Sequence, residues 1–370
     1  MKNISQKIVD LQSSTLFYLS LGSKELFHSN FLAWISHKYP KQIGALFTPY
    51  LTDNTGDTSI LDAKRELKNV DVYLYFANGQ ELIIENKVRS LPYVEQLEKY
   101  AKENPSAQNR LLLTLARPHF AQGQQAQLPE SLWHVLTYTE YAQKLKKLVT
   151  KIHDPYDSSI LSDYISFITN LDALFQNAIV NDTDHFTFWS QEADPVLKNL
   201  GDMRMSDVYL KLKYQQLALK VHESLKQSFP NHPVLFMDNG TRVPGSIHVR
   251  HGMMNTQGLM EAFYVIKKGL YLNVQLQQRS YRLMTQGYDG YGTATKKYAE
   301  ELLTKGLWFT FARIYEHPTI YPTRQGRVFN KYGKTDFYKY VKLTTEHTVE
   351  QIVQLFVEDL KHAVAIASKI

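Results

Sequence analysis

Asp71-Val72-Tyr73-Leu74-Tyr75-Phe76-Ala77-Asn78-Gly79-Gln80-Glu81-Leu82-Ile83-Ile84-Glu85-Asn86-Lys87 reads as two β-strands joined by a tight loop. Val72, Leu74 and Phe76 alternate with Asp71, Tyr73 and Tyr75, and Leu82, Ile84 and Val88 alternate with Ile83, Glu85 and Lys87. A period of two residues puts one apolar face on each strand. A two-residue turn at Asn78-Gly79 would set Asp71 opposite Asn86 and put Val72 on the face of Glu85, mismatching the apolar sets. A three-residue loop from Ala77 to Gly79, with Gly79 in the left-handed conformation, matches them and sets Asp71 opposite Glu85. The register that satisfies the core therefore brings two carboxylates together.

Glu-x-Lys alone carries no weight, because residues this common fall into that spacing by chance. The facing carboxylates carry more. As a solvated edge with a cross-strand ion pair, the hairpin accounts for Lys87 but leaves Asp71 against Glu85, a like-charge pair that destabilises unless a cation lies between them. Paired carboxylates hold a hard divalent cation such as Mg²⁺ through oxygen, and an ammonium beside them can position a water. These are the groups that phosphodiester hydrolysis requires.

Elements on either side extend the pattern. Downstream, Leu91 to Tyr100 predicts a helix with Pro92 in its first turn, where a missing N–H costs nothing, and with Gln96 and Tyr100 on one face. Arg110 to Leu115 and Trp133 to Tyr138 predict strands, and Thr139 to Thr150 a helix, so strands alternate with helices after the hairpin. Upstream, Lys24 to Ile35 has helical periodicity, with Phe27, Phe31, Trp34 and Ile35 on one side and Glu25 in the first turn. Each has an ordinary explanation by itself. Glu25 suits the helix dipole, and Gln96 and Tyr100 suit a helix packed on a sheet.

As a set, these residues resemble the PD-(D/E)XK nuclease superfamily, in particular its bacterial branch with an N-terminal Glu-bearing helix, an Ile-Glu-Asn-Lys strand and a Gln-Leu-x-x-Tyr helix. The likeness runs from about Glu25 to about Tyr138. It implies an α/β, restriction-endonuclease-like αβββαβ core, a mixed central sheet flanked by helices. It further implies that Asp71 and Glu85 ligate Mg²⁺, with Mn²⁺ able to substitute, and that the backbone carbonyl of Asn86 assists. Lys87 would position the attacking water, Glu25 would support the metal or its water shell, and Gln96 would orient near the site. Val70 stands where the motif's name has Pro, and Asn86 between Glu85 and Lys87 is the residue expected in the narrower branch. Its side chain should point to the apolar face.

Composition bounds the rest. A chain of 370 residues with 44% hydrophobic and 21% charged residues is globular and long enough for two cores. The absence of cysteine excludes disulfides, thiolate zinc sites and cysteine nucleophiles. Met1 to Asp10 lacks the apolar run of a signal peptide, and no stretch approaches the length of a membrane span, so a cytoplasmic address is expected. A formal charge of +6 and a pI near 9.0 are compatible with a polyanionic partner.

The polar break at Asn181-Asp182-Thr183-Asp184-His185, after a helix from Ser158 to Ala178, predicts a division into a 1–180 core domain and a 181–370 domain. The second would comprise a helical spacer over Val196 to Phe229 and an α+β domain for substrate selection or dimerisation. There, Met260 to Lys267 and Leu270 to Gln277 predict a hairpin. Trp308 to Tyr315 and Phe337 to Leu343 predict strands, and Ala294 to Lys305 and Thr348 to Ser368 helices. Arg324, Arg327, Lys331, Lys334 and Lys339 interleave with Phe329, Tyr332, Phe337, Tyr338 and Tyr340, a pattern that suits phosphates and unpaired bases but also an ordinary hairpin with inward aromatics. Arg324, Arg327, Lys331, Lys334 and, in the first domain, Tyr100 are candidate nucleic-acid contacts. Gln275, Gln277, Gln278, Arg279, Tyr281 and Arg282 form a second polar cluster, and His248 and His251 lack the nearby carboxylate that a metal site would need. The functional expectation is a metal-dependent nuclease acting on DNA rather than RNA, with no membrane association and with a homodimer or a protein partner in antiphage defence or repair. The alternative is a catalytically silent nucleic-acid-binding or scaffold protein of the same fold. A decayed member would have lost at least one of Glu25, Asp71, Glu85, Lys87 or Gln96, and all five are present.

Overall fold

The structure is a computed structural model that describes residues 4–23, 25–88, 94–115, 133–175, 180–189, 192–237, 242–287, 292–322 and 326–369. Pro92 and Arg324 lie outside the described residues. The chain forms two compact units, Met1–Asn177 and Ala178–Ile370. Among the described residues, no helix is long and apolar enough to cross a membrane.

The first unit begins with four helices, α1 (Ile4–Ser13), α2 (Thr15–Ser23), α3 (Glu25–Lys38) and α4 (Pro40–Phe47). Strands β1 (Ile60–Leu67), β2 (Val70–Phe76) and β3 (Glu81–Lys87) follow, then α5 (Val94–Glu103) and β4 (Asn109–Thr114). Strand β5 (His134–Thr137), α6 (Tyr138–Val149) and α7 (Pro155–Phe175) complete it. The sheet order is β1-β2-β3-β4-β5, antiparallel from β1 to β3 and parallel from β3 to β5. A parallel neighbour requires a crossover, and α5 lies in the connection between β3 and β4. The start of α6 is fixed by a capping box, in which the Thr137 hydroxyl accepts from Glu140 N and the Glu140 carboxylate accepts from Thr137 N at 2.7 Å.

Strand β3 is central, and both its faces are buried. Helix α3 packs against β1, β2 and β3. On the face that carries Asp71 and Glu85, Tyr73, Ile83 and Leu112 join Leu97 of α5 and Trp133 in one apolar cluster. A single apolar face was the sequence expectation for this hairpin. The second face is covered as well, because residues some way downstream supply the helix that packs on it.

In the second unit, α8 (Pro195–Asp202) and α9 (Ser206–Ser228) are followed by β6 (Val234–Phe236), β7 (Ile247–Met254), β8 (Gln257–Lys267), β9 (Leu270–Gln277) and β10 (Ser280–Gly287). Then come α10 (Gly292–Thr304), β11 (Asn330–Tyr332), β12 (Asp336–Lys342) and α11 (Val349–Ala367). The sheet runs β11-β12-β10-β9-β8-β7-β6. The stretch expected as one helical pattern over Val196 to Phe229 is two helices, separated where Arg204 takes a φ of 55°.

The expected strand from Trp308 to Tyr315 does not form; these residues run through bends and a turn. Its rings are buried individually rather than in alternation: Trp308 Nε1 donates to the Met284 carbonyl at 3.3 Å, and Phe309, with φ of 65°, packs 5.1 Å from Phe329. The expected mixed basic and aromatic cluster is also sorted by the pleat. Phe329 and Phe337 are buried with Lys331 and Lys339 over their rings, whereas Tyr332 and Tyr338 stack on each other beneath Arg282. His248 is stacked on Phe263 and bonded to Ser246 Oγ at 2.9 Å, while the His251 ring packs against Phe236.

Candidate active site

The loop between β2 and β3 sets the register. Tyr75 pairs with Glu81, Leu74 with Leu82, Tyr73 with Ile83 and Val72 with Ile84. Phe76 N donates to the Gln80 carbonyl at 2.9 Å, which closes a three-residue loop with Gly79 at a φ of 78°, a conformation that favours glycine. Continued by one step, that register sets Asp71 opposite Glu85. The two strands touch there directly: Asp71 Oδ2 accepts from the Asn86 backbone N–H at 2.7 Å.

Glu85 and Lys87 lie two residues apart on the same strand, so both side chains leave β3 on the same side. Lys87 Nζ is 2.7 Å from Glu85 Oε1, and both residues are buried, at 2% exposure for Glu85 and 7% for Lys87. The other oxygen, Glu85 Oε2, is buried without a hydrogen-bond partner. Burial, followed by the neighbouring Asp71 charge, pushes the Glu85 carboxyl up to about 7. Burial also raises Asp71 above the usual carboxylate range, against the Asn86 N–H and the Lys87 charge. For Lys87, burial works to strip the proton, but the carboxylates of Glu85, Glu25 and Asp71 outweigh it and hold the ammonium above its ordinary value. The pair therefore sits at neutral pH as a firmly protonated ammonium beside an acid poised to ionise.

Glu25, at the start of α3, has one oxygen bound to the Val88 N–H at 3.1 Å, and its charge acts on Asp71, Glu85 and Lys87. The helix bearing Glu25 is tied to β3 by Asn86. The Asn86 amide Nδ2 donates to the Glu25 carbonyl at 3.3 Å and to Ser29 Oγ at 3.4 Å, and its Oδ1 accepts from the buried Tyr138 hydroxyl at 2.6 Å. Tyr138 in turn lies edge-on to His28, which bonds the Tyr164 hydroxyl at 2.9 Å. As expected, Asn86 points away from the carboxylates. The sequence reading missed Tyr138 and Ser29, although an amide among buried strand positions needs polar partners, and that need was the available signal.

Gln96 is not joined to this group by any hydrogen bond among the described residues. Its Nε2 donates to the Tyr100 hydroxyl at 2.7 Å, one turn along α5. Tyr100 is half-buried, with its ring packed against the Leu97 cluster. Among the described residues, no three or more His, Cys, Asp and Glu side chains group to hold a metal ion; the acidic centre is a pair.

Residues 14–166 match the family model PDDEXK_4 of the PD-(D/E)XK nuclease superfamily. Over this segment the chain is similar to that superfamily. No curated protein and no solved structure matches the chain. The nuclease-superfamily segment spans Glu25, β1 to β3, α5, β4 and Tyr138, so the helix, hairpin and crossover described above all fall within it. Its mixed sheet flanked by helices is the αβββαβ architecture expected from the sequence.

The donor set fits a hard divalent cation: two carboxylates, one with a buried oxygen lacking a partner, in a site without sulfur. The Tyr138 tie makes a testable contribution. Tyr138→Phe is expected to destabilise the fold by roughly 1–3 kcal/mol, because it leaves Asn86 Oδ1 buried without its donor. Cleavage should fall about tenfold, since loosened outer hydrogen bonds typically weaken a metal site by that order. Chemical denaturation and initial-rate kinetics on the same preparation would measure the two effects.

Proposed function

We propose that the chain is a divalent-metal-dependent nuclease that hydrolyses phosphodiester bonds in DNA. The observation that carries this reading is the partnerless Glu85 Oε2 beside Asp71 and Lys87, at the register of a nuclease-superfamily hairpin. Asp71, Glu85 and the Asn86 backbone carbonyl would hold Mg²⁺ or Mn²⁺, with Glu25 supporting it through a water. Bound there, the cation supplies charge stabilisation and a more acidic water.

The chain's own residues do the rest. Lys87, protonated, holds the attacking water by one lone pair and offers positive charge to the oxygens that become more negative in the transition state. Water adds to phosphorus, the bond to the leaving oxygen breaks, and the proton lost by the water is matched by one gained at the leaving alcohol. Asp71 keeps its Oδ2 on the Asn86 N–H, which leaves its other oxygen for the cation. Glu25 is a positioning residue in this reading, through its bond to the Val88 N–H, whereas Gln96 bonds Tyr100 on its own helix. The second unit selects the substrate or joins two copies, with the exposed Lys331 and Lys334 available for phosphates.

Because Glu85 must lose its proton to bind the cation, affinity is linked to pH. Its carboxyl is protonated below about 7 and ionised above. Metal affinity should therefore climb by up to about tenfold per pH unit on approaching neutrality from below and level off at higher pH. Titration calorimetry with Mn²⁺ from pH 5.5 to 8.5, in buffers of different ionisation enthalpy, should show close to one proton released per cation at the acid end. A flat affinity profile would remove Glu85 from the ligand set. Substrate class is tested by a panel of supercoiled plasmid, linear duplex, single-stranded circle and RNA with Mg²⁺. Cutting of RNA alone would reject the DNA assignment while leaving the nuclease standing.

A further inference from the structure

In the second unit, the sheet separates two kinds of side chain. Tyr281, Leu283, Phe337 and Val341 point to the face on which α11 packs, where Tyr281 meets Phe356 and Asp359. Arg282, Tyr338 and Tyr340 alternate with them and lie on the opposite face. Near the β11 edge, that face carries a row of rings. Tyr332 and Tyr338 are stacked at 4.9 Å, Tyr338 and Tyr340 lie 6.3 Å apart, and Tyr340 and Tyr321 are stacked at 4.8 Å and 12°. Tyr321 is held in place by two backbone hydrogen bonds to Tyr340.

Cations accompany the row along its length. The Arg282 guanidinium lies 5.3 Å from the Tyr332 centroid and 5.0 Å from that of Tyr338, and Lys342 Nζ lies 5.3 Å from that of Tyr321. Arg282 is buried, and its Nη1 serves Gln275 at 2.6 Å together with Gln277 and Tyr332, yet its Nε has no hydrogen-bond partner. Tyr321, Tyr332 and Tyr340 are partly accessible and Lys342 is exposed. The chain's net charge is placed to match: residues 178–370 hold 24 Lys and Arg against 18 Asp and Glu, whereas residues 1–177 hold 18 of each. Cross-strand stacking that merely stabilises an edge would explain the Tyr332 and Tyr338 pair. It does not call for cations over the ring faces at both ends of the row or for a buried guanidinium with a donor left over.

We propose that the partly accessible Tyr321, Tyr332 and Tyr340, backed by the buried Tyr338 and Arg282 and flanked by Lys342, form a stacking platform for an unpaired nucleic-acid strand. Unpaired bases extend the row of rings, which accept any base because every base has a flat face, the exposed Lys342 pairs with a flanking phosphate, and the buried Arg282 holds the Tyr332 and Tyr338 rings from beneath. In a duplex the bases are already stacked on one another, so the platform discriminates against it. The inference rests on the nuclease reading for the class of ligand, and it gives the second unit a part in choosing substrate.

The test uses the full chain carrying Glu85→Gln, in chelator, so that binding is read without cleavage. Fluorescence anisotropy would follow labelled oligonucleotides of about 15 nucleotides, long enough for one binding site, as single-stranded DNA, single-stranded RNA and duplex DNA. Single strands should bind in preference to duplex, and the sugar they prefer is read from the first two arms. Tyr321→Ala with Tyr340→Ala should weaken that binding about 10- to 100-fold, whereas the two Tyr→Phe changes should stay within about threefold. Lys342→Glu, an exposed change that leaves the rings in place, should weaken it about tenfold and guards against misfolding of the double variant. Duplex bound as tightly as single strands, or single-strand affinity unchanged in both the alanine and Lys342 variants, overturns the platform. A nuclease without the platform would still cut, and a platform without a nuclease would still bind, so the two readings fail separately.

Discussion

Lys87→Ala is expected to slow metal-dependent cleavage by about 10²- to 10⁴-fold, the range typical of losing a group that handles the water and its proton. Binding of the divalent cation should survive or tighten. Lys87 is an ammonium in a buried site, held protonated by Glu85, Glu25 and Asp71, and its Nζ lies 2.7 Å from Glu85 Oε1. Its removal takes a competing positive charge away from the carboxylates while taking from the transition state a cation that water cannot replace. Mn²⁺ titration beside initial-rate kinetics separates the two consequences. Equal loss of affinity and rate would mean that Lys87 only props up Glu85. Lys87→Met, which keeps most of the aliphatic stem, should behave like the alanine variant if charge is the operative property.

Glu85→Gln should lose cleavage more completely, by about a thousandfold or more, and should lose the cation as well. It should also make the metal-free protein more stable at high pH. The Glu85 carboxyl is raised in the folded state to about 7 from an ordinary value of 4.5. Its contribution to stability is therefore fully present below about 4.5, and it is lost as the pH rises through the interval up to about 7, where the folded state must give up a proton it holds more tightly than the unfolded chain does. Gln keeps an oxygen for Lys87 Nζ and carries no charge facing Asp71. Melting curves should thus coincide near pH 4 and separate by several degrees at pH 8, with the variant the more stable. A variant less stable at pH 8 would show that the Glu85 charge is compensated within the fold. Stability gained where activity is lost is a common signature of a site that stores like charge for function.

Much of the nuclease-superfamily core was legible because its constraints are local. Alternation in β2 and β3, together with a single glycine at the turn, is enough to fix the register, and the register is what brings Asp71 to Glu85. The boundaries of α3, α5, β4 and α6 fell within a few residues of their expected positions because each begins or ends at a cap, a proline or a polar break. What was not legible depends on distant residues. Burial of the second face of β3 comes from α5 and Trp133, and the tie that fixes Asn86 comes from Tyr138, 52 residues along the chain. In the second unit, the aromatic run at Trp308 looked like a strand because aromatic residues favour strands, yet the Trp308 and Phe309 rings are placed by separate tertiary contacts and no strand forms. The interleaved basic and aromatic residues near Lys331 were visible as a composition. Only the pleat showed that the phenylalanines face the core and the tyrosines the other way.

The most direct test of the central claim is the cleavage of supercoiled plasmid by purified wild-type protein, with Mg²⁺ and with chelator, beside Asp71→Asn. Asn at this position can still accept the Asn86 N–H through its side-chain oxygen, so the hairpin is preserved while the charge is gone. Nicking or linearisation that requires Mg²⁺ and falls by about a thousandfold or more in the variant is the predicted result. Undiminished cutting by Asp71→Asn, or cutting that proceeds in chelator, would contradict a nuclease site built from the facing carboxylates of β2 and β3.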